Sequence, residues 1–384
     1  MKKNILSALL LMLAGFTFNS CSKDDDADDG ILNPTETFEQ RCKFDARHLS
    51  GEEEPYYWYS WETDVQFKVL EGDYQGMPTV AMTRLFPIGN IFRMHFGISV
   101  NHENQLYILT TLGNHCFSDA SFIESVALDG YLQHVGYDVF RNATRLEELT
   151  FGPEMLTIGG CAFRGCTKLP KIEWNSLGKD KSIGPLAFAE CTALETVKIE
   201  AKDGTFDSGA FEGCTSLKDV SIQGNKLDFD WSVFEDCTSL ENVSIQGDNT
   251  SIGWSLFENC TSLKNVSILG NNISISETVF EDCPNLKQLT FGSLQETLEN
   301  NIFRGMDKLE KIDIKGGLKV IKSEAFENCT SLKVVDLPST LTQIEPNAFL
   351  GCSSLTNIII HGAHTPLISA TGLPEGCNVQ IVDE

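Results

Sequence analysis

Ala325 to Thr356 reads AFENCTSLKVVDLPSTLTQIEPNAFLGCSSLT, which is one unit and the beginning of the next. Phe326 and Phe349 are 23 residues apart, and outward from them the same residue recurs at Phe117, Phe140, Phe163, Phe188, Phe211, Phe234, Phe257, Phe280 and Phe303. Nine of the ten intervals are 23 residues and one, from Phe163 to Phe188, is 25. A fixed period in the twenties is the mark of a solenoid, whose units are too small to bury their apolar face alone and do so by stacking.

The other columns of the unit show how it is built. Six residues after the phenylalanine stands Leu in ten of eleven copies, from Leu146 to Leu355, with Ile123 heading the column. Three positions further comes a β-branched residue or Leu, as in Val220, Val243, Val266 and Val335, and two beyond that Ile222, Ile245 or Ile268. This L-x-x-V-x-I run alternates with polar residues, which turns its apolar members inward and the others outward. Each unit therefore supplies one short strand to a parallel sheet along the stack. A second apolar pair, such as Ile344 with Ala348 or Ile252 with Leu256, is expected to line the opposite wall.

The A-F-x-x-C-x-x-L start and the I-x-x-x-A-F approach, clearest from Ile321 to Leu332 and from Ile344 to Leu355, resemble the leucine-rich repeats of the BspA-like family of bacterial surface proteins. The turn Leu337-Pro338-Ser339-Thr340-Leu341 follows that pattern, whereas central copies carry Gln223-Gly224-Asn225 and Gln246-Gly247-Asp248 in its place. The resemblance implies a mainly β fold, a right-handed leucine-rich-repeat solenoid with a parallel sheet on one face. It also implies a cell-surface role in adhesion or protein recognition.

The segments outside the repeat have their own signals. Lys2 and Lys3 precede an apolar run from Ile5 to Phe18, too short to span a bilayer and laid out like a secretory signal peptide over residues 1–20. Cys21 ends it and is followed by Ser22-Lys23-Asp24-Asp25-Asp26, which looks like a bacterial lipoprotein cleavage site. By that likeness Cys21 carries the lipid, residues 21–30 form an acidic tether, and the protein is exported and anchored to the outer membrane, facing the exterior. The acidic run also reads as a plain solvated linker. Residues 31–110 lack the repeat; Val65, Phe67 and Val69 alternate with polar residues, as do Phe92, Met94, Phe96, Ile98 and Val100. With turns expected at Glu71-Gly72-Asp73 and Pro87-Ile88-Gly89, they predict a small β-rich capping domain, for which a sandwich is one form. The repeats fill 111–361, and 362–384 is the second cap, with Val379-Gln380-Ile381 as its closing strand. Caps are needed because an end coil otherwise exposes its apolar side and an unpaired edge.

Composition excludes several functions. A net charge of −25 gives no electrostatic footprint for nucleic acid or anionic lipid, so contact with a membrane is expected through the lipid anchor alone. Of the 13 cysteines, Cys166, Cys191, Cys214, Cys237, Cys260, Cys283, Cys329 and Cys352 share one column, in which Ala143 and Met306 also occur. A small or flexible apolar group suffices there, so packed free thiols are expected rather than disulfides. No C-x-x-C pair is present, and one ligand per coil makes a line rather than a tetrahedron, so no metal or other cofactor is expected. His95, His102, His115, His134, His361 and His364 have no carboxylate or cysteine partner at a spacing that defines a site. G-x-S-x-G, H-E-x-x-H and phosphate-binding glycine loops are missing, and no enzyme is indicated.

Two stretches remain as binding candidates. The outward positions of the middle strands read Asp219, Asn242, Asn265 and Gln288 in one column, Ser221, Ser244, Ser267 and Thr290 in the next, then Gln223 and Gln246. Rows of mixed donors and acceptors suit a peptide backbone or a glycan. Near-identical copies (CTSLKDVSIQG, CTSLENVSIQG, CTSLKNVSILG) would repeat such residues by duplication alone, whether used or not. The second candidate is Tyr56, Tyr57, Trp58, Tyr59 and Trp61, an aromatic platform for sugars or else core of the capping domain. The leading reading is a surface lipoprotein that displays a face to a protein ligand; the alternative is polysaccharide capture. The tether has a direct check: Cys21→Ala should release the exported protein from washed membranes, because its acyl chains are the anchor. Retention of the variant there would contradict lipid anchoring.

Overall fold

The computed structural model describes residues 34–47, 58–74, 77–85, 93–95, 99–102 and 105–383, apart from 176–177, 363–365 and 369–370. Residues 1–30, Cys21 among them, and Tyr56 and Tyr57 lie outside the described residues; Trp58, Tyr59 and Trp61 are described as backbone. All described regular structure is β-strand. The chain forms two compact units that part between Met155 and Leu156.

In the first unit Pro34–Arg47 pairs antiparallel with Trp58–Tyr74, which pairs antiparallel with Met77–Leu85. Glu71-Gly72-Asp73, expected as a turn, falls inside the strand Trp58–Tyr74, where the pairing register shifts between Val69 and Asp73. A bulge absorbs the residues that sequence alone assigns to a turn. Direction then changes: Met77–Leu85 is parallel to Gln105–Leu112, which is parallel to the repeat strand His134–Val135. The antiparallel strands thus continue the sheet of a coil at its edge.

The second unit is a stack of coils. Ten parallel strands, from Lys171–Asn175 to Asn378–Val382, form one long sheet. Their register keeps like with like: Val220 faces Val243, Ser221 faces Ser244 and Ile222 faces Ile245. In Asp219–Gln223 and Asn242–Gln246 burial alternates residue by residue, as the sequence pattern requires. Asn378–Val382 closes the sheet against Asn357–His361.

The opposite wall is also β, which the apolar pairs alone did not reveal. Short strands such as Asp203–Phe206, Lys226–Phe229 and Ser251–Ile252 pair in parallel there. This wall breaks between Ser274–Ile275 and Thr297–Leu298, bridged only by Ile273 and Leu294. The coil at the break carries Phe291 where neighbouring coils have Ile268 and Ile314; all three are buried, and its larger ring lies 6.1 Å from Phe303.

Between the walls the phenylalanines form a buried ladder. Rings of neighbouring coils stack nearly parallel, at 5.3 Å for Phe188 with Phe211 and 5.7 Å for Phe234 with Phe257. Equal rotamers repeated at the ~4.8 Å strand spacing leave the rings offset, the geometry that aromatic quadrupoles favour. Next to Phe291 the ladder loosens, with Phe280 and Phe303 6.3 Å apart and tilted by 31°.

The cysteine column is buried, and Cys191, Cys214, Cys237, Cys260, Cys283, Cys329 and Cys352 carry free thiols. These thiols do more than fill space. Cys214 Sγ donates to the carbonyl of Phe188 at 3.3 Å, Cys260 to Phe234 at 3.2 Å and Cys352 to Phe326 at 3.0 Å, each in the preceding coil. Ala143 and Met306 cannot make that bond, so the column has a preference beyond size.

Each phenylalanine sits in a corner whose flanks are left-handed. Two residues after it come Asp119, Asn142, Gly165, Glu190, Gly213, Asp236, Asn259, Asp282, Gly305, Asn328 and Gly351, with φ from 51° to 79°. Two residues before it the same region holds His115, Cys161, Leu186, Thr278 and Glu324, with φ from 53° to 61°. Non-glycine residues there cost about 1–2 kcal/mol each. Coil-to-coil bonds compensate: Leu186 N–H donates to Ser208, Phe188 to Ala210 and Glu190 to Glu212, at 2.8–3.0 Å.

Phe257→Ala should cost about 3–5 kcal/mol, since the ring is buried and both neighbours rest on it. Hydrogen exchange is expected to quicken first around residues 234–280; a uniform rise along the chain would contradict a nearest-neighbour stack. The thiols predict a pH effect. Burial pushes the Cys283 thiol up from 9.0 to about 12, so the fold favours the protonated form. That stability is complete below pH 9 and is lost as pH rises toward 12. Urea midpoints between pH 8 and 11 should therefore fall more steeply for the native protein than for Cys283→Ala; parallel curves would refute this.

Candidate binding face

The exposed face of the long sheet is set by the strand pleat: with Val220, Val243 and Val266 inward, their neighbours must point out. Asp219, Ser221, Asn242, Ser244, Asn265, Ser267, Gln288 and Thr290 come together there along a groove of about 440 Å³. Gln223 and Gln246 are exposed at the strand ends but do not line it. Thr196 and Lys198 do, and sequence reading passed over them. They were legible in principle, because Thr196-Val197-Lys198 pairs in register with Asp219-Val220-Ser221.

The amides in the groove are tied to one another. Asn265 Nδ2 donates to Asn242 Oδ1 at 2.9 Å, and Asn242 Nδ2 donates to Asp219 Oδ1 at 3.0 Å. An amide both donates and accepts, so a column of them can satisfy itself coil by coil; a carboxylate only accepts, and ends the run. The ladder gives the asparagines a structural role of their own. It engages one donor on each, leaving the second amide hydrogen and the hydroxyl column of Ser221, Ser244 and Ser267 for a ligand.

At the strand starts a charged column runs beside the groove. Glu195, Lys218, Glu241, Lys264, Lys287, Glu310 and Lys333 follow one another at the 23-residue period. Lys218 pairs with Glu195 at 3.1 Å, Lys264 with Glu241 at 2.8 Å and Lys333 with Glu310 at 2.9 Å. These half-exposed pairs are worth little in stability, about 0–1 kcal/mol each. Further along, hydroxyls give way to charge: His361 Nε2 lies 2.7 Å from Asp336 Oδ1. His115 Nδ1 lies 3.4 Å from Asp138. Both histidines thus have a carboxylate partner one coil away, at a spacing that no site motif uses. Among the described residues no cluster of His, Cys, Asp or Glu could hold a metal ion.

A parallel β-solenoid with a 23-residue unit, a phenylalanine ladder and an open sheet face is a leucine-rich-repeat scaffold. The BspA-type leucine-rich repeat region matches in 6 copies, at residues 110–241, 181–310 and 250–369. The chain belongs to that family. Among solved structures it is similar to a leucine-rich repeat protein from Bacteroides ovatus, with 24% identity over 83% of this chain and 89% of that one and a TM-score of 0.38. It is also similar to a leucine-rich cell surface protein from Faecalibacterium prausnitzii, at 20% identity over 83% and 95% of the two chains with a TM-score of 0.35. Pneumococcal vaccine antigen PcpA is 16% identical over 83% and 92%, with a TM-score of 0.37. None of the curated protein sequences matches significantly.

Proposed function

We propose that this is an exported lipoprotein, held by Cys21 to the outer membrane and facing the exterior, whose solenoid recognises a protein ligand on the open face of its long sheet. The observation that carries the reading is the groove, into which eight residues singled out by sequence converge from strands of four adjacent coils. Hydroxyls and amides of that kind suit a peptide backbone, and repeat folds use extended surfaces in this way. Membership of a family with cell-surface members supports an adhesive role.

Ser244→Lys tests the site. Its side chain is exposed at the centre of the groove and takes no part in the asparagine ladder, so folding should be unchanged. Gln246→Lys, on the same strand but outside the groove, adds equal charge as a control. Against whichever matrix protein binds in a panel, Ser244→Lys should weaken affinity at least about tenfold, or 1.4 kcal/mol, and Gln246→Lys much less. Equal affinity in both variants would move the site away from this face. Binding to a glycan array instead of to proteins would favour polysaccharide capture through Tyr56, Tyr57, Trp58, Tyr59 and Trp61.

A further inference from the structure

Trp231 and Trp254 are 59% and 66% exposed, although tryptophan is among the residues that gain most from burial. They are 23 residues apart, so they hold the same position in two neighbouring coils, three residues before the phenylalanine. Other coils have Gly160, Pro185, Ser208 or Glu277 there, so the repeat itself does not require an aromatic residue. Their backbone is fixed by the corner ladder: Trp231 C=O accepts from Gly209 N–H at 3.2 Å and Trp254 C=O from Ser232 N–H at 3.0 Å.

The two indoles border a cleft of about 530 Å³ on the short-strand wall, opposite the long sheet. Its lining includes Asp207, Asp228 and Asp230. Behind it Phe206 and Phe229 are buried and stacked at 4.6 Å, a rigid floor. Asp230 Oδ2 accepts from Ser208 Oγ at 2.8 Å, which holds one carboxylate in place. Burial first, and then the charges of Asp230 and Asp228, raise Asp207 from its ordinary carboxylate value. The lining holds no basic residue, so three acids share the cleft beside two exposed aromatic faces.

We infer that this cleft binds an arginine-bearing basic segment of a partner protein, its guanidinium lying on the Trp231 and Trp254 faces and donating to Asp207, Asp228 and Asp230. A guanidinium suits both surfaces at once: it is flat and weakly hydrated for stacking on an indole, and its fork of N–H donors meets carboxylates in plane. A sugar also stacks on tryptophan, but it brings no positive charge to the three acids. The long-sheet groove plays no part in this site, which stands or falls separately from it.

The test uses the full-length protein, a tetra-arginine amide peptide as probe and calorimetry at low and at 150 mM salt. Saturable binding that persists at the higher salt is expected, weakened at least about tenfold in Trp231→Ala/Trp254→Ala and in Asp207→Asn/Asp230→Asn, and unchanged in Ser244→Lys. The tryptophan variant is decisive because it leaves net charge alone: a peptide attracted only by the overall negative charge binds it as well as the native protein, and that result overturns the proposal. So does absence of saturable binding, or preference for a neutral oligosaccharide over the peptide with the same tryptophan dependence. Trp231→Phe/Trp254→Phe should restore part of the affinity, which separates loss of the aromatic faces from misfolding.

Discussion

Every feature of the stack depends on the backbone hydrogen bond from one coil to the next. For that bond to form along both walls and the corner, each coil must return to the same place one strand spacing further on. Closure after 23 residues meets this condition and stacks every side chain on its counterpart in the next coil. The phenylalanine ladder, the cysteine column and the strands' register are consequences of that one requirement. So are the left-handed corners, where residues as ill-suited as Leu186 and Thr278 adopt positive φ because the bonds on either side demand it.

What could be read from sequence was whatever the coil repeats with an apolar residue. The period, the long-sheet strands and their inward columns were visible because a buried position tolerates few residue types. One corner was visible in hindsight: Gly, Asn or Asp fill ten of the eleven positions two after the phenylalanine, as Asn259 and Gly305 do. The corner before it was not, since Cys161, Leu186 and Glu324 share no chemistry. The opposite wall was expected from its apolar pairs, but its strands were not, because one of two residues, such as Ser251–Ile252, is too short to show alternation. Pairs such as His361 with Asp336 escaped a search tuned to motif spacings, although the period itself predicts contacts one coil away.

The polar face shows why duplication and use are hard to separate in such a fold. A surface column survives repetition only if its residue is compatible with itself. Asparagine meets that condition by donating to the copy before it, as Asn265 does to Asn242, and serine has a hydroxyl able to do the same. The chemistry that lets a face be copied without penalty is thus also the chemistry that offers donors and acceptors to a ligand. Trp231 and Trp254 differ in kind, for exposed indoles gain nothing from repetition that Ser208 does not already supply in the same place.

The alternating Glu and Lys column has the opposite property, since neither residue can sit beside a copy of itself without repulsion. A single duplicated coil would put like charges in contact, whereas two coils inserted together preserve the alternation. Two added coils, 46 residues or twice the 23-residue period, keep the alternation that one added coil breaks. The order slips once in the stretch from Glu195 to Lys333, where Lys264 is followed by Lys287. That slip falls in the coil that carries Phe291, where the opposite wall also breaks.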